Sequence, residues 1–189
     1  MEPSLIVPLA VLLIVLIWAI ANFNALVRLR NHVRESWSGI DTELKRRYDL
    51  IPNLVETVKG YAKHEREVLE RVTAARSQAV ASRGSPEQQA RDENALIGTL
   101  RTLFAVSEAY PDLKANRGFL SLQEELANTE DRIQAARRFY NANVRDLNTR
   151  IEVFPSNIIA AIFGFRRAEF FEIEDAGIRR PPEVSVSGP

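Results

Sequence analysis

The sequence predicts an all-α protein. An N-terminal transmembrane helix continues into an antiparallel up-and-down bundle of long helices, with a short apolar C-terminal helix and a disordered tail. Three observations lead there. No charged residue stands between Pro3 and Val27. From Val27 to Ile151 apolar residues recur at helical spacing, with little strand alternation. Glycine and proline gather between these stripes, where helices have to stop. The expected division is an anchor over 1–27, a bundle over 28–153, a terminal apolar segment over 154–175 and a tail over 176–189.

The first element is the anchor. Leu5, Ile6, Val7, Leu9, Val11, Leu12, Leu13, Ile14, Val15, Leu16, Ile17, Trp18 and Ile20 make it almost uniformly apolar. A stretch of about 25 residues forms a helix of roughly 37 Å, longer than the roughly 30 Å core of a bilayer. A cleaved signal peptide is the alternative, since Ala19-Ile20-Ala21 has small residues at a suitable spacing. However, the leading Met1-Glu2-Pro3-Ser4 carries no basic residue, and the apolar run exceeds a usual signal core. Arg28, Arg30 and Arg34 follow the span and nothing basic precedes it. The positive-inside rule therefore puts the N-terminus outside and the body in the cytoplasm, as a single-pass protein.

Val33, Trp37, Ile40 and Leu44 carry the anchor helix onward. Leu54, Val58, Tyr61, Val68, Val72 and Ala75 form the next stripe, interrupted by Glu65. Proline disfavours helix in the residue before it, so a break or kink is expected near Ile51-Pro52. A second break falls at Ser82–Gln88, where Ser85 caps, Pro86 opens a helix and Gln88 completes a capping box. The third helix, about Pro86 to Glu108, buries Leu96, Leu100, Leu103 and Phe104. After Tyr110-Pro111, with Asn116 as a cap, the longest helix carries Phe119, Leu122, Leu126, Ile133, Tyr140, Val144, Leu147 and Ile151. Short connections make sequential helices antiparallel neighbours. The same stripes also fit a coiled coil between chains.

Composition narrows the function. With 25 basic and 25 acidic residues the net charge is zero, which argues against a nucleic-acid binder. No cysteine is present, which removes thiol chemistry and cysteine-based metal sites. His64-Glu65 begins like a zinc-protease motif, but its second histidine would fall at Val68. His32 stands alone. Glu124, Asp131 and Asp146 lie at helical spacing without the Glu-x-x-His pairs of a di-iron bundle. The expectation is no catalytic residue, no cofactor or metal, and no small-molecule substrate. Lys63, Glu67 and Arg71 read as a solvated helix face. Lys45-Arg46-Arg47 reads as a solvated turn near a helix break, too far from a membrane surface to bind lipid.

Five of the nine phenylalanines lie near the C-terminal end: Phe154, Phe163, Phe165, Phe170 and Phe171. Together with Ile158, Ile159 and Ile162 they make a segment too short to span a bilayer, and Arg166 and Arg167 stand within it. Three roles are open: a lid on the bundle, interfacial insertion with the arginines near headgroups, or docking on another subunit.

Leu44-Lys45-Arg46-Arg47-Tyr48-Asp49-Leu50-Ile51-Pro52-Asn53-Leu54-Val55-Glu56-Thr57-Val58-Lys59-Gly60-Tyr61-Ala62 closely resembles the signature of the LemA family of bacterial membrane proteins. The likeness continues through Tyr110–Asn116, Ala136–Asn141 and Phe154–Asn157, with Thr42 and Tyr48 as departures. The resemblance implies one N-terminal membrane helix and an antiparallel helical domain. It implies no reaction and supplies no active-site residues; one branch of the family is associated with magnetosome membranes. The expected function is a non-enzymatic membrane scaffold whose partners are the bilayer and further copies of itself or another membrane protein. The alternative is a membrane-organising or remodelling protein that uses residues 157–171. An enzyme, or its regulatory subunit, is the third reading.

Overall fold

A computed structural model describes the backbone of residues 3–174 and the side chains from Ile6. The side chain of Leu5 and the expected tail at 176–189 lie outside the described residues. Six helices and no strand occur among them: α1 (Pro3–Tyr61), α2 (Arg66–Ala81), α3 (Pro86–Ser107), α4 (Pro111–Lys114), α5 (Arg117–Glu152) and α6 (Ser156–Ile162). The chain forms two compact units. One takes the described residues up to Ser38 with Phe139–Phe170; the other takes Gly39–Arg138 with the described residues from Phe171. The contacts therefore divide the chain elsewhere than at the expected 27/28 and 153/154, because α1 and α5 each serve both units.

In the second unit the last part of α1, then α2, α3 and the start of α5 bury one core. Ile51, Leu54 and Val58 meet Leu69, Val72, Leu96, Leu100, Leu103, Leu113, Phe119 and Leu126. Phe104 is only half-buried against it. The stripes pack within the chain, so they need no second chain to cover them.

No break occurs at Ile51-Pro52: α1 continues through it as helix. Proline has no N–H to give the carbonyl four residues earlier, which here is that of Tyr48. Nε of Arg76, on α2, donates to that oxygen at 2.6 Å and takes the place of the missing donor. Arg76→Ala is expected to cost about 1–3 kcal/mol, the penalty of an unsatisfied buried acceptor. In a Pro52→Ala background the N–H restored at position 52 serves the carbonyl, so the cost of losing Arg76 should shrink. Denaturant unfolding of the four proteins checks this, and equal costs in both backgrounds would refute it.

The break lies instead at Ala62–Glu65, a turn without proline or glycine and so without the strongest local signal. It is held from outside: Tyr110 donates its hydroxyl to Glu65 Oε1 at 3.1 Å, and Asn116 Nδ2 donates to the Tyr61 hydroxyl at 2.8 Å. The other two expected stops are present. Ser85 accepts from the Gln88 N–H at 3.4 Å with Pro86 opening α3. The Gln88 side chain turns to Asp92 and Arg91, rather than completing the capping box. A Cβ on Gly84 would meet Gln88 Cβ at 2.8 Å, which explains glycine at that position. Asn116 Oδ1 accepts from the Phe119 N–H at 3.0 Å and caps α5.

Candidate functional site

The first unit offers a surface. From Ile6 to Ile20 the large apolar side chains of α1 are exposed on every side; Ile14, for example, is 66% exposed. The helix is long and apolar enough to cross a membrane. The pattern changes abruptly at Asn22, which is buried, and Leu26 and Val33 continue a buried stripe. That stripe belongs to the same unit as Tyr140, Val144 and Leu147 of α5, and the Trp37 and Tyr140 rings meet edge to face at 5.2 Å. Asn22 accepts from the Arg150 guanidinium and donates to the Trp18 carbonyl at 2.9 Å.

The end of α6 is seated at this same level. Gly164, at φ +66°, adopts the left-handed conformation that glycine tolerates best. It completes a Schellman stop, with Phe165 N–H donating to Ala160 O at 2.9 Å and Gly164 N–H to Ala161 O at 3.3 Å. The turn brings both aromatic neighbours of Gly164 onto Phe23: Phe163 at 4.7 Å and Phe165 at 5.9 Å between ring centroids. Arg30 lies over the Phe165 ring at 5.2 Å. The chain beyond is fixed to α5, where Asn148 donates to Ala168 O at 2.9 Å and accepts from its N–H at 2.8 Å.

Among the sequence-predicted residues, Ile159 is buried, while Ile158, Ile162 and Phe163 remain exposed. Arg166 and Arg167 are exposed too, with Arg167 Nε 3.0 Å from Glu152. The lid reading thus accounts for only one side of α6. Arg28, Arg30 and Arg34 are all exposed.

The second unit holds what the sequence reading missed. Lys45 and Arg46 are exposed as expected, but Arg47 is fully buried, so the solvated-turn reading fails for it. Its guanidinium bonds Glu93 of α3 and, at 2.9 Å, Glu130 of α5. Tyr48 donates to Glu93, Gln89 donates to Glu93 at 2.8 Å, and Gln134 donates to Glu130 at 2.9 Å. Arg47 belongs to the buried series Ile40, Leu44, Arg47, Ile51, Leu54, Val58, which steps by four and three. A charge in the register of an apolar stripe was the available signal. Glu93 and Glu130 occupy equivalent places between Ala90 and Leu96 and between Leu126 and Ile133. Glu124, Asp131 and Asp146 are instead exposed.

Burial, then the neighbouring Glu93 charge and the hydrogen bond to it, push the Tyr48 phenol far above its ordinary 10.0. Burial, then Glu169, push Tyr140 up to about 12. Burial alone would raise Asp92, but the neighbouring Ser82 hydroxyl, hydrogen bonds from Gln88 and Gln78 and the Arg91 charge outweigh it and hold Asp92 below its ordinary 3.8. The tyrosine shifts predict an alkaline limit. Below 10.0 both states keep their phenolic protons; above it the unfolded chain loses them first. Stability is therefore lost as pH rises from the ordinary 10.0 to the folded values, a loss complete by about 12 for Tyr140. Phenolate absorbance should show Tyr48 ionising only with unfolding. Ionisation of all four tyrosines in a still-folded protein would contradict this.

His32 and His64 are both exposed, and no group of three metal-binding side chains occurs among the described residues. An open groove of about 970 Å³ runs along Lys59, Lys63, Arg66 and Glu70, and its lining contains neither Glu93 nor Glu130.

The family model described as the LemA family matches residues 36–186, a span that takes in the Arg47 cluster. The chain belongs to the LemA family. Among curated LemA-family relatives, Magnetosome protein MamQ 2 of Paramagnetospirillum magneticum is 28% identical, over 82% of this chain and 66% of its own length. Protein LemA of Metamycoplasma hominis is 29% identical, over 82% of this chain and 75% of its own. Magnetosome protein MamQ of Magnetospirillum gryphiswaldense is 26% identical, over 82% and 66%. The chain thus spans 66% of the length of these magnetosome relatives. Most of the exposed apolar part of α1 precedes the LemA match, which begins at Ser36.

Proposed function

We propose that this LemA-family chain is a non-enzymatic scaffold, anchored by α1 in a bacterial cytoplasmic membrane and associating with further copies of itself. The observation that carries this reading is the sheath of exposed Leu, Ile and Val side chains from Ile6 to Ile20. In water it would be an apolar patch far larger than soluble monomers expose. In lipid its backbone is fully satisfied within the helix. The arginines at 28, 30 and 34 favour a cytoplasmic body and an outer N-terminus. The names of the magnetosome relatives are consistent with work at a membrane compartment. The non-enzymatic reading is supported by Glu93 and Glu130, buried carboxylates that are occupied by Arg47, Tyr48 and glutamine side chains.

The test is made on native membranes. The protein should stay in the pellet after alkaline carbonate extraction, and crosslinking mass spectrometry should return copy-to-copy crosslinks. Release by carbonate would remove the anchor. A protein crosslinked only to itself within one chain, at native abundance, would remove the scaffold.

A further inference from the structure

The exposed side of α6 has an occupant that its position identifies. Ile158 (48% exposed) and Ile162 (69%) stand four residues apart on one face of α6, Phe163 (57%) adjoins them, and Phe154 (75%) is exposed in the turn that precedes the helix. The opposite face, Ile159 and Ala160, is buried. This is the sidedness of a helix lying at a boundary between protein and an apolar medium. Phe163 and Phe165 rest on Phe23, just beyond the last residue of the exposed sheath. From Pro3 to Asn22 is about 20 residues, or roughly 30 Å of helix, the thickness of a hydrocarbon core. The hydrocarbon edge therefore falls at Asn22–Phe23, the level at which the end of α6 is seated. The segment Ser156–Phe165 contains no acidic residue, and the exposed Arg166 and Arg167 follow it, Arg167 3.0 Å from Glu152.

We infer that α6 is a second membrane contact, an interfacial helix that sinks Phe154, Ile158, Ile162 and Phe163 into the leaflet from which the body emerges. This rests on α1 spanning the bilayer as proposed above. The depth required is modest, since interfacial helices bury their apolar face about 5–10 Å into the headgroup–acyl boundary. Both ends are pinned by the protein: the stop at Gly164 fixes the Phe165 end, and at the other the Ser156 hydroxyl shares its one proton between the Arg150 and Val153 carbonyls, each 2.8 Å away. The contact makes the anchor two-point, so that the first unit is held against the surface rather than free to swivel about α1.

The sequence contains no cysteine, so single labels are easily placed. Full-length protein carrying Leu13→Cys, Ile162→Cys or Ser77→Cys is labelled with a fluorophore. It is then reconstituted into vesicles of phosphatidylcholine and phosphatidylglycerol that contain a lipid with a nitroxide high on its acyl chain. The expected result is lipid quenching several-fold stronger at residue 162 than at residue 77, together with quenching at residue 13. Quenching at residue 13 with residue 162 behaving like residue 77, or shielded from both lipid and aqueous quenchers, overturns the α6 contact and leaves the anchor standing. No quenching at residue 13 overturns the spanning reading itself.

Discussion

Arg47→Met is expected to lower stability by about 3–5 kcal/mol, because it strands two carboxylates in a core that has lost their guanidinium partner. Arg47 is fully buried and bonds both Glu93 and Glu130, so one side chain ties α1, α3 and α5 together. The same account predicts recovery. In the triple variant Arg47→Met, Glu93→Gln, Glu130→Gln the buried charges are gone. Tyr48 and Gln89 still find an amide oxygen at position 93, and Gln134 one at position 130. Much of the lost stability should return, because the cost lies in uncompensated charge rather than in a missing attraction. The Arg47 Nε–H has no partner among the described residues even in the parent protein, so the cluster is not fully satisfied to begin with. Guanidinium unfolding followed by circular dichroism, in detergent and on full-length protein, measures all of this. A triple variant as unstable as Arg47→Met would show that the geometry of the ion cluster is itself required.

Phe171→Ala should cost about 3–5 kcal/mol, the usual loss for emptying a buried phenylalanine site. Phe154→Ala should change stability by no more than about 0.5 kcal/mol. The two residues belong to the same aromatic-rich stretch, yet Phe171 is fully buried and Phe154 is 75% exposed. The difference arises because the chain changes units between them. Residues 171–174 are held on the second unit, where Asn94 donates to Glu172 O at 3.4 Å and accepts from the Glu174 N–H at 2.8 Å. Arg137 adds a bond to the Ile173 carbonyl, and Arg101 pairs with Glu174 at 3.0 Å. Equal effects of the two substitutions on the denaturation midpoint would contradict this placement.

These two cases also mark what was legible in the sequence. The helices, their apolar stripes and the stops at Ser85-Pro86 and Asn116 could be read because each depends on residues close together in the chain. The run through Pro52 could not, because its missing donor comes from Arg76 on another helix. Nor could the turn at Ala62–Glu65, whose supports, Tyr110 and Asn116, come from far along the chain. Arg47 was hidden differently. It stands beside Lys45 and Arg46 in sequence but beside Leu44 and Ile51 in helical register, and register decides burial. The aromatic segment was visible as a composition anomaly, but only the seating of Phe163 and Phe165 on Phe23 tells which side faces out.

The bond from Arg76 to the Tyr48 carbonyl carries a consequence for biosynthesis. The apolar part of α1 leaves the ribosome before Pro52, and Pro52 leaves it well before Arg76. In that interval the Tyr48 carbonyl has neither an N–H at position 52 nor Arg76 as its donor, and water serves it. The carbonyl gains its protein donor only when α2 has emerged and folded back to deliver the Arg76 guanidinium. If α1 enters a membrane as proposed, that entry can begin before the residue that completes the bonding around Pro52 has been made.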